Sequence, residues 1–179
     1  YLGLANSLSS LLLAVLSPLL GALADASSKK KNYLAFFCTV GVIATAGFFF
    51  VAQGQWETAI LLYALSSLGF AGGNIFYDSL LPSICSKKQV DFVSGLGFSL
   101  GYLGGGILFS VNVVMTLKPH WFGLASASEA VKWSFLSVAL WWAAFALPLF
   151  KNVAEPQVSR KTNEETQAIR NGFRQLLNS

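Results

Sequence analysis

Few side chains here are equipped for chemistry. Asp78 is the one acid set well inside an apolar stretch, seven residues beyond its centre near Ala71. That is roughly 10 Å along a helix, still within a hydrocarbon half-thickness of about 15 Å. A carboxyl at that depth either takes part in proton coupling or reaches water past Pro82, and both readings stand on the residues alone. Asn74, near the middle of the same stretch, offers a donor and an acceptor, and Tyr102, near the middle of the next, offers a hydroxyl on a stacking ring. Such groups can orient a polar solute, or they can bond helix to helix for about 0.6 kcal/mol. Tyr77 joins them as a third candidate. Elsewhere the chemistry is thin. Cys38 and Cys85 read as small buried hydrophobes rather than a disulfide. His120, the single histidine, has no second ligand for a metal nearby. No Ser-His-Asp or Cys-His set and no paired carboxylates occur, so an enzyme is not expected. Gly95 and Gly97 lack the third glycine of a phosphate loop, so no nucleotide cofactor is expected either.

The elements that must position these groups are long and apolar. Of 179 residues, 54% are hydrophobic and only 11% charged, with a mean hydropathy of +0.58. Soluble domains carry about 25% charged residues. Tyr1–Ala24, Tyr33–Ala52, Thr58–Tyr77, Phe92–Leu117 and Trp133–Phe150 contain no Asp, Glu, Lys or Arg. Each is long enough to span a bilayer, and hydrocarbon forces such runs into helices. They do not alternate as barrel strands would. The expected spans are about 2–24, 33–52, 58–84, 92–117 and 132–150, followed by a polar segment over 151–179. Within that tail, Thr162 to Glu165 has the form of a capping box, and Ile169, Phe173, Leu176 and Leu177 recur at helical spacing.

Ten lysines and arginines fall in the loops of one side and two, Lys118 and Lys132, in those of the other. The positive-inside rule then puts the C-terminus in the cytoplasm. The net charge of +4 reports orientation, not a nucleic-acid partner. Trp56, Trp121 and Trp133 flank the outer ends as expected of interfacial anchors. Gly97, Gly101 and Gly105 recur every four residues, with Gly104 and Gly106 beside them. They give one bare face suited to close helix packing.

Three pieces together carry a likeness. Gly21 and Asp25, followed by the basic Lys29, Lys30 and Lys31, resemble the cytoplasmic signature of the major facilitator superfamily. Ala26 replaces the usual basic residue after the acid, and Ser28 the usual glycine. Phe76-Tyr77-Asp78-Ser79-Leu80-Leu81-Pro82 and Ser94 to Gly106 (S-x-x-G-x-x-x-G-Y-x-G-G-G from Ser94) add to it. With Ser17-Pro18-Leu19-Leu20-Gly21, residues 1–150 resemble the vacuole-effluxer-like branch, which groups bacterial transporters with fungal vacuolar amino-acid exporters. Gly101, Gly105 and Gly106 also match an antiporter motif of the superfamily, although Tyr102 replaces its proline.

The resemblance implies an all-α membrane protein: helices 2 to 6 of a twelve-helix transporter, a partial N-terminal six-helix bundle. The implied partners are the lipid bilayer, a small-molecule substrate, a coupling proton, and the missing helix 1 and C-terminal bundle. Tyr1 in place of Met agrees with a fragment. It also implies that Asn74, Tyr77 and Tyr102 face a substrate cavity and that Gly21, Asp25 and Lys29–Lys31 form a cytoplasmic gate. A latch between Asp78, Asp25 and the lysines becomes a third reading of that acid. The expected function is secondary active transport of a small polar solute, amino acids among the candidates, by alternating access. The expected site is a bacterial inner membrane, or a vacuolar one in a eukaryote. Two other classes stay open: a non-transporting membrane protein that uses its glycine faces to bind partners, and a membrane enzyme, which no residue set favours.

Overall fold

A computed structural model describes residues 2–27, 29–86 and 88–155. The apolar runs are helices: α1 (Leu2–Ala26), α2 (Lys30–Gly47), α3 (Trp56–Ile84), α4 (Val90–Leu117) and α5 (Ala127–Asn152). Short 3₁₀ turns follow α2 at Phe48–Phe50 and α4 at Pro119–Phe122. No strand occurs among the described residues, as the runs predict. The tail's expected capping box and amphipathic helix lie outside the described residues.

Four stretches are long and apolar enough to cross a membrane: Lys30–Phe50, Trp56–Ile84, Val90–Leu117 and Ala127–Asn152. Five were expected. In α1 the strongly apolar part is the shorter Leu13–Asp25, because its first half carries Asn6, Ser7, Ser9 and Ser10. At 25 residues α1 still reaches about 37 Å. Asn6 there accepts from the Tyr63 hydroxyl at 2.7 Å, tying α1 to α3.

Local chemistry sets the helix ends. Ser126 caps α5, its hydroxyl accepting from the Glu129 N–H at 3.2 Å, while Glu129 Oε2 accepts from the Ala125 N–H at 2.9 Å. The pair is a variant of the capping box, with Glu129 reaching the N–H one residue before the cap, and it starts α5 at Ala127, five residues before the expected span. The turn before α3 closes on Gly54, whose φ of 92° is where glycine is strongly favoured. Helix α2 opens on Lys30 and Lys31, cations at the positive end of its dipole. The chain accepts this because both ammonium groups reach neighbouring helices.

The core gathers at that lysine end. Ala24, Leu34, Phe76 and Leu80 are buried together, flanked by Leu20, Ile75 and Leu149. Tyr33 and Phe37 stack against Phe76 at ring-centroid distances of 5.1 and 5.8 Å. At the other end Phe48 stacks on Phe135 at 4.5 Å, and Phe49 meets Trp133 edge-on at 5.1 Å. Helix α2 packs most extensively on α3 and then on α5, while α1 packs on α3. Helix α4 leans on α5 and barely meets α3. Trp56, Trp121 and Trp133 are exposed at the chain's connecting ends, and Cys38 and Cys85 are free thiols.

Candidate functional site

Phe70, Asn74 and Tyr77 sit at helical spacing, so they share one face of α3. They form one wall of a cavity of about 620 Å³. The opposite wall is α4, through Ser94, Gly97, Phe98, Gly101, Tyr102 and Gly105. The structure therefore brings Asn74, Tyr77 and Tyr102 to a single space. Tyr102 is 81% exposed and Tyr77 41%. Neither hydroxyl, nor the Asn74 amide, makes a hydrogen bond among the described residues, so their polar atoms are uncommitted. Glycines line the space without being tightly packed: a Cβ on Gly97 would lie at ordinary contact distance, 3.5 Å, from the Tyr77 hydroxyl oxygen.

The same α3 stripe backs a smaller cavity of about 210 Å³, closed by Leu34, Cys38, Trp142 and Phe145. A third, about 670 Å³, adjoins the first and is lined by Thr45, Ser66, Ser67 and Asn112 beside Trp141 and Trp142. Asn112 Oδ1 accepts from the Ser137 hydroxyl at 3.0 Å, joining α4 to α5. Thr45 is turned onto its own helix, donating to the Gly41 carbonyl at 2.8 Å. Sequence reasoning missed Asn112, although an amide inside an uncharged run was the available signal.

Close glycine packing falls between α2, α3 and α5. A Cβ on Gly69 would sit 2.5 Å from the Gly41 nitrogen and 2.6 Å from its Cα. One on Gly72 would strike the Phe37 ring, and one on Gly41 the Trp142 ring. The predicted stripe on α4 is different. A Cβ on Gly101, Gly105 or Gly106 would meet nothing within 4 Å among the described residues, while one on Gly104 would lie 3.7 Å from Trp141. Gly21 likewise has open space around it.

The lysines do meet other helices, but through backbone. Lys30 Nζ donates to the Ser79 carbonyl at 3.2 Å. Pro82 lies inside α3 and has no N–H to offer the neighbouring Asp78 carbonyl, so this is where the helix ladder is thinnest. Lys31 Nζ donates to Phe150 O at 3.0 Å and to Val153 O at 2.5 Å, capping the negative end of α5. In return Glu155 Oε1 accepts from the Lys31 backbone N–H at 3.0 Å, satisfying an open donor of α2's first turn. Asp25 and Asp78 are both exposed. Among the described residues neither forms an ion pair with Lys29, Lys30 or Lys31, and the acid that meets the cluster is Glu155. Among the described residues no three His, Cys, Asp or Glu side chains gather as metal ligands.

The chain matches the family model described as vacuole effluxer Atg22 like over residues 1–179. It is 35% identical over 177 residues to an uncharacterized MFS-type transporter, YxiO, of Bacillus subtilis (strain 168), covering 98% of this chain and 41% of that protein. It is 29% identical over 133 residues to autophagy-related protein 22 of Kluyveromyces lactis, covering 67% of this chain and 25% of that protein. To autophagy-related protein 22 of Eremothecium gossypii it is 25% identical over 166 residues, covering 82% of this chain and 32% of that protein. It thus spans well under half the length of these relatives. No solved structure matches it.

Proposed function

This chain belongs to the vacuole effluxer Atg22-like family, and on that premise we propose that the complete protein is a secondary active transporter. It moves a small polar solute, amino acids foremost, by alternating access of a site near the bilayer midplane. The observation that carries this is the convergence of Asn74, Tyr77 and Tyr102, with uncommitted polar atoms, on one glycine-walled cavity. Asn74 would pair with both a carboxylate and an ammonium of an amino acid, and the tyrosines would orient it through hydroxyl and ring. The bare face of Gly101, Gly105 and Gly106 would let the part of the transporter that closes this cavity approach closely.

Asp78, two residues short of the buried Leu80 on α3, is our candidate for a coupling proton. Gly21, Asp25 and Lys29–Lys31 mark the gate-side face, which the lysine distribution assigns to the cytoplasm. That assignment would make the C-terminal end of α5 cytoplasmic too.

Full-length protein in vesicles, given a pH gradient and radiolabelled neutral amino acids, tests this reading. Gradient-driven flux is expected, with Asn74→Ala lowering it about tenfold, as the loss of one well-placed hydrogen bond predicts. Asp78→Asn should abolish the dependence on the gradient. No flux of any amino acid under either gradient direction would overturn the proposal.

A further inference from the structure

The three consecutive lysines are not equivalent. Lys30 and Lys31 spend their ammonium groups on carbonyls of α3 and α5. The exposed Lys29 side chain makes no hydrogen bond among the described residues. Its backbone N–H alone is engaged, donating to Ser27 Oγ at 3.0 Å. Lys29 borders a groove of about 510 Å³ between α1 and α2. The groove's far end is apolar, formed by Leu20, Leu23, Phe36 and Phe37, and its near end carries Lys29 and Asn32. The Phe36 ring stands 60% exposed along it.

This is a two-part surface at a helix–loop–helix boundary, where an apolar span meets its first charges. A cation and an amide lie at the level expected for headgroups, with an oily channel running from them toward the bilayer interior. We propose that the groove between α1 and α2 holds an anionic phospholipid of the adjoining leaflet. Its phosphate would lie against Lys29 and Asn32, and an acyl chain along Leu20, Leu23 and Phe36. A free phosphate would satisfy the lysine and leave the aromatic floor uncovered, whereas a lipid covers both. The proposal rests on the chain spanning a membrane and is independent of what the protein transports.

Full-length protein is purified from vesicles of phosphatidylcholine doped with phosphatidylglycerol, and the lipids it retains are counted by native mass spectrometry. Retention of phosphatidylglycerol over phosphatidylcholine should be about fivefold in the unmodified protein, the preference one lysine confers near an anionic surface. Lys29→Gln should bring it to parity, while Lys88→Gln, a surface lysine outside the groove, should leave it unchanged. Leu23→Trp should fill the channel and displace both lipids. Phe36→Ser, at an exposed ring, gives the same readout if that variant does not fold. Equal losses from Lys29→Gln and Lys88→Gln would mean diffuse attraction and overturn the site, as would no preference in the unmodified protein. A protein that retains phosphatidylglycerol but moves no solute upholds this site while removing the transport reading.

Discussion

Helices α2 and α4 are both long, apolar and rich in small residues, yet they sit in opposite surroundings. Buried Leu34, Cys38, Gly41, Ala44 and Thr45 line α2, and α3 comes close enough for Gly69 to touch the Gly41 backbone. Among the described residues of α4 only Met115 is buried, and most of its glycine face is bare. Apolar content is therefore a statement about lipid, and contact is a separate one. In a bilayer, hydrocarbon already satisfies an apolar side chain, so helices associate through close fit and polar links rather than through hydrophobicity. Helix α2 has both kinds of link; α4 has Asn112–Ser137 and little else.

The sharpest way to break this comparison is a pair of single methyl groups. Gly69→Ala places a carbon 2.5 Å from a backbone nitrogen that cannot rotate away, and should cost up to about 3 kcal/mol, as overpacking does. Gly105→Ala meets nothing within 4 Å, and by helix propensity should gain up to about 1 kcal/mol. Thermal unfolding of the purified protein should thus shift in opposite directions. A loss at Gly105 as large as that at Gly69 would show that the closed state, with the rest of the transporter pressed on α4, dominates the resting protein.

Next in size is Lys31→Ala, which strips a charged donor from Phe150 O and Val153 O. We expect about 1–2 kcal/mol of destabilisation, and hydrogen exchange at the end of α5 should accelerate more than in α4. Exchange that rises equally in both would mean that the two regions are not held differently. Smallest is Asn112→Leu, expected to cost about 0.6 kcal/mol, the usual worth of an interhelical bond in a bilayer. A cost of several kcal/mol would make that bond the hinge of α4 rather than a loose tie.

The five helices were legible because charge-free runs of that length have no other stable form in hydrocarbon. Boundaries were less so. Helix α5 starts at Ala127 because Ser126 and Glu129 cap it, a spacing visible in the chain but masked by the nearby Lys132. Convergence of Asn74, Tyr77 and Tyr102 on one cavity could be expected only from the family likeness, since residues on separate helices carry no record of their relative rotation. Glycine spacing likewise marked a bare stripe on α4 but not what faces it. The close contacts come instead from Gly41, Gly69 and Gly72, whose surroundings depend on a partner helix. The lysine triplet looked like loop charge awaiting carboxylates. Its actual acceptors include the backbone oxygens of Ser79, Phe150 and Val153, which every residue type possesses and no letter of a sequence distinguishes.

Because Lys31 and Glu155 hold each other's helices, the stretch just after α5 is not a free hinge. A pull applied at Glu155 would be borne by two rods in parallel, the end of α5 and the opening turn of α2, and would tilt them as a unit. Mechanical strain from beyond residue 155 would then be delivered directly beside the lysine triplet, at the foot of the bundle, before any bending could dissipate it.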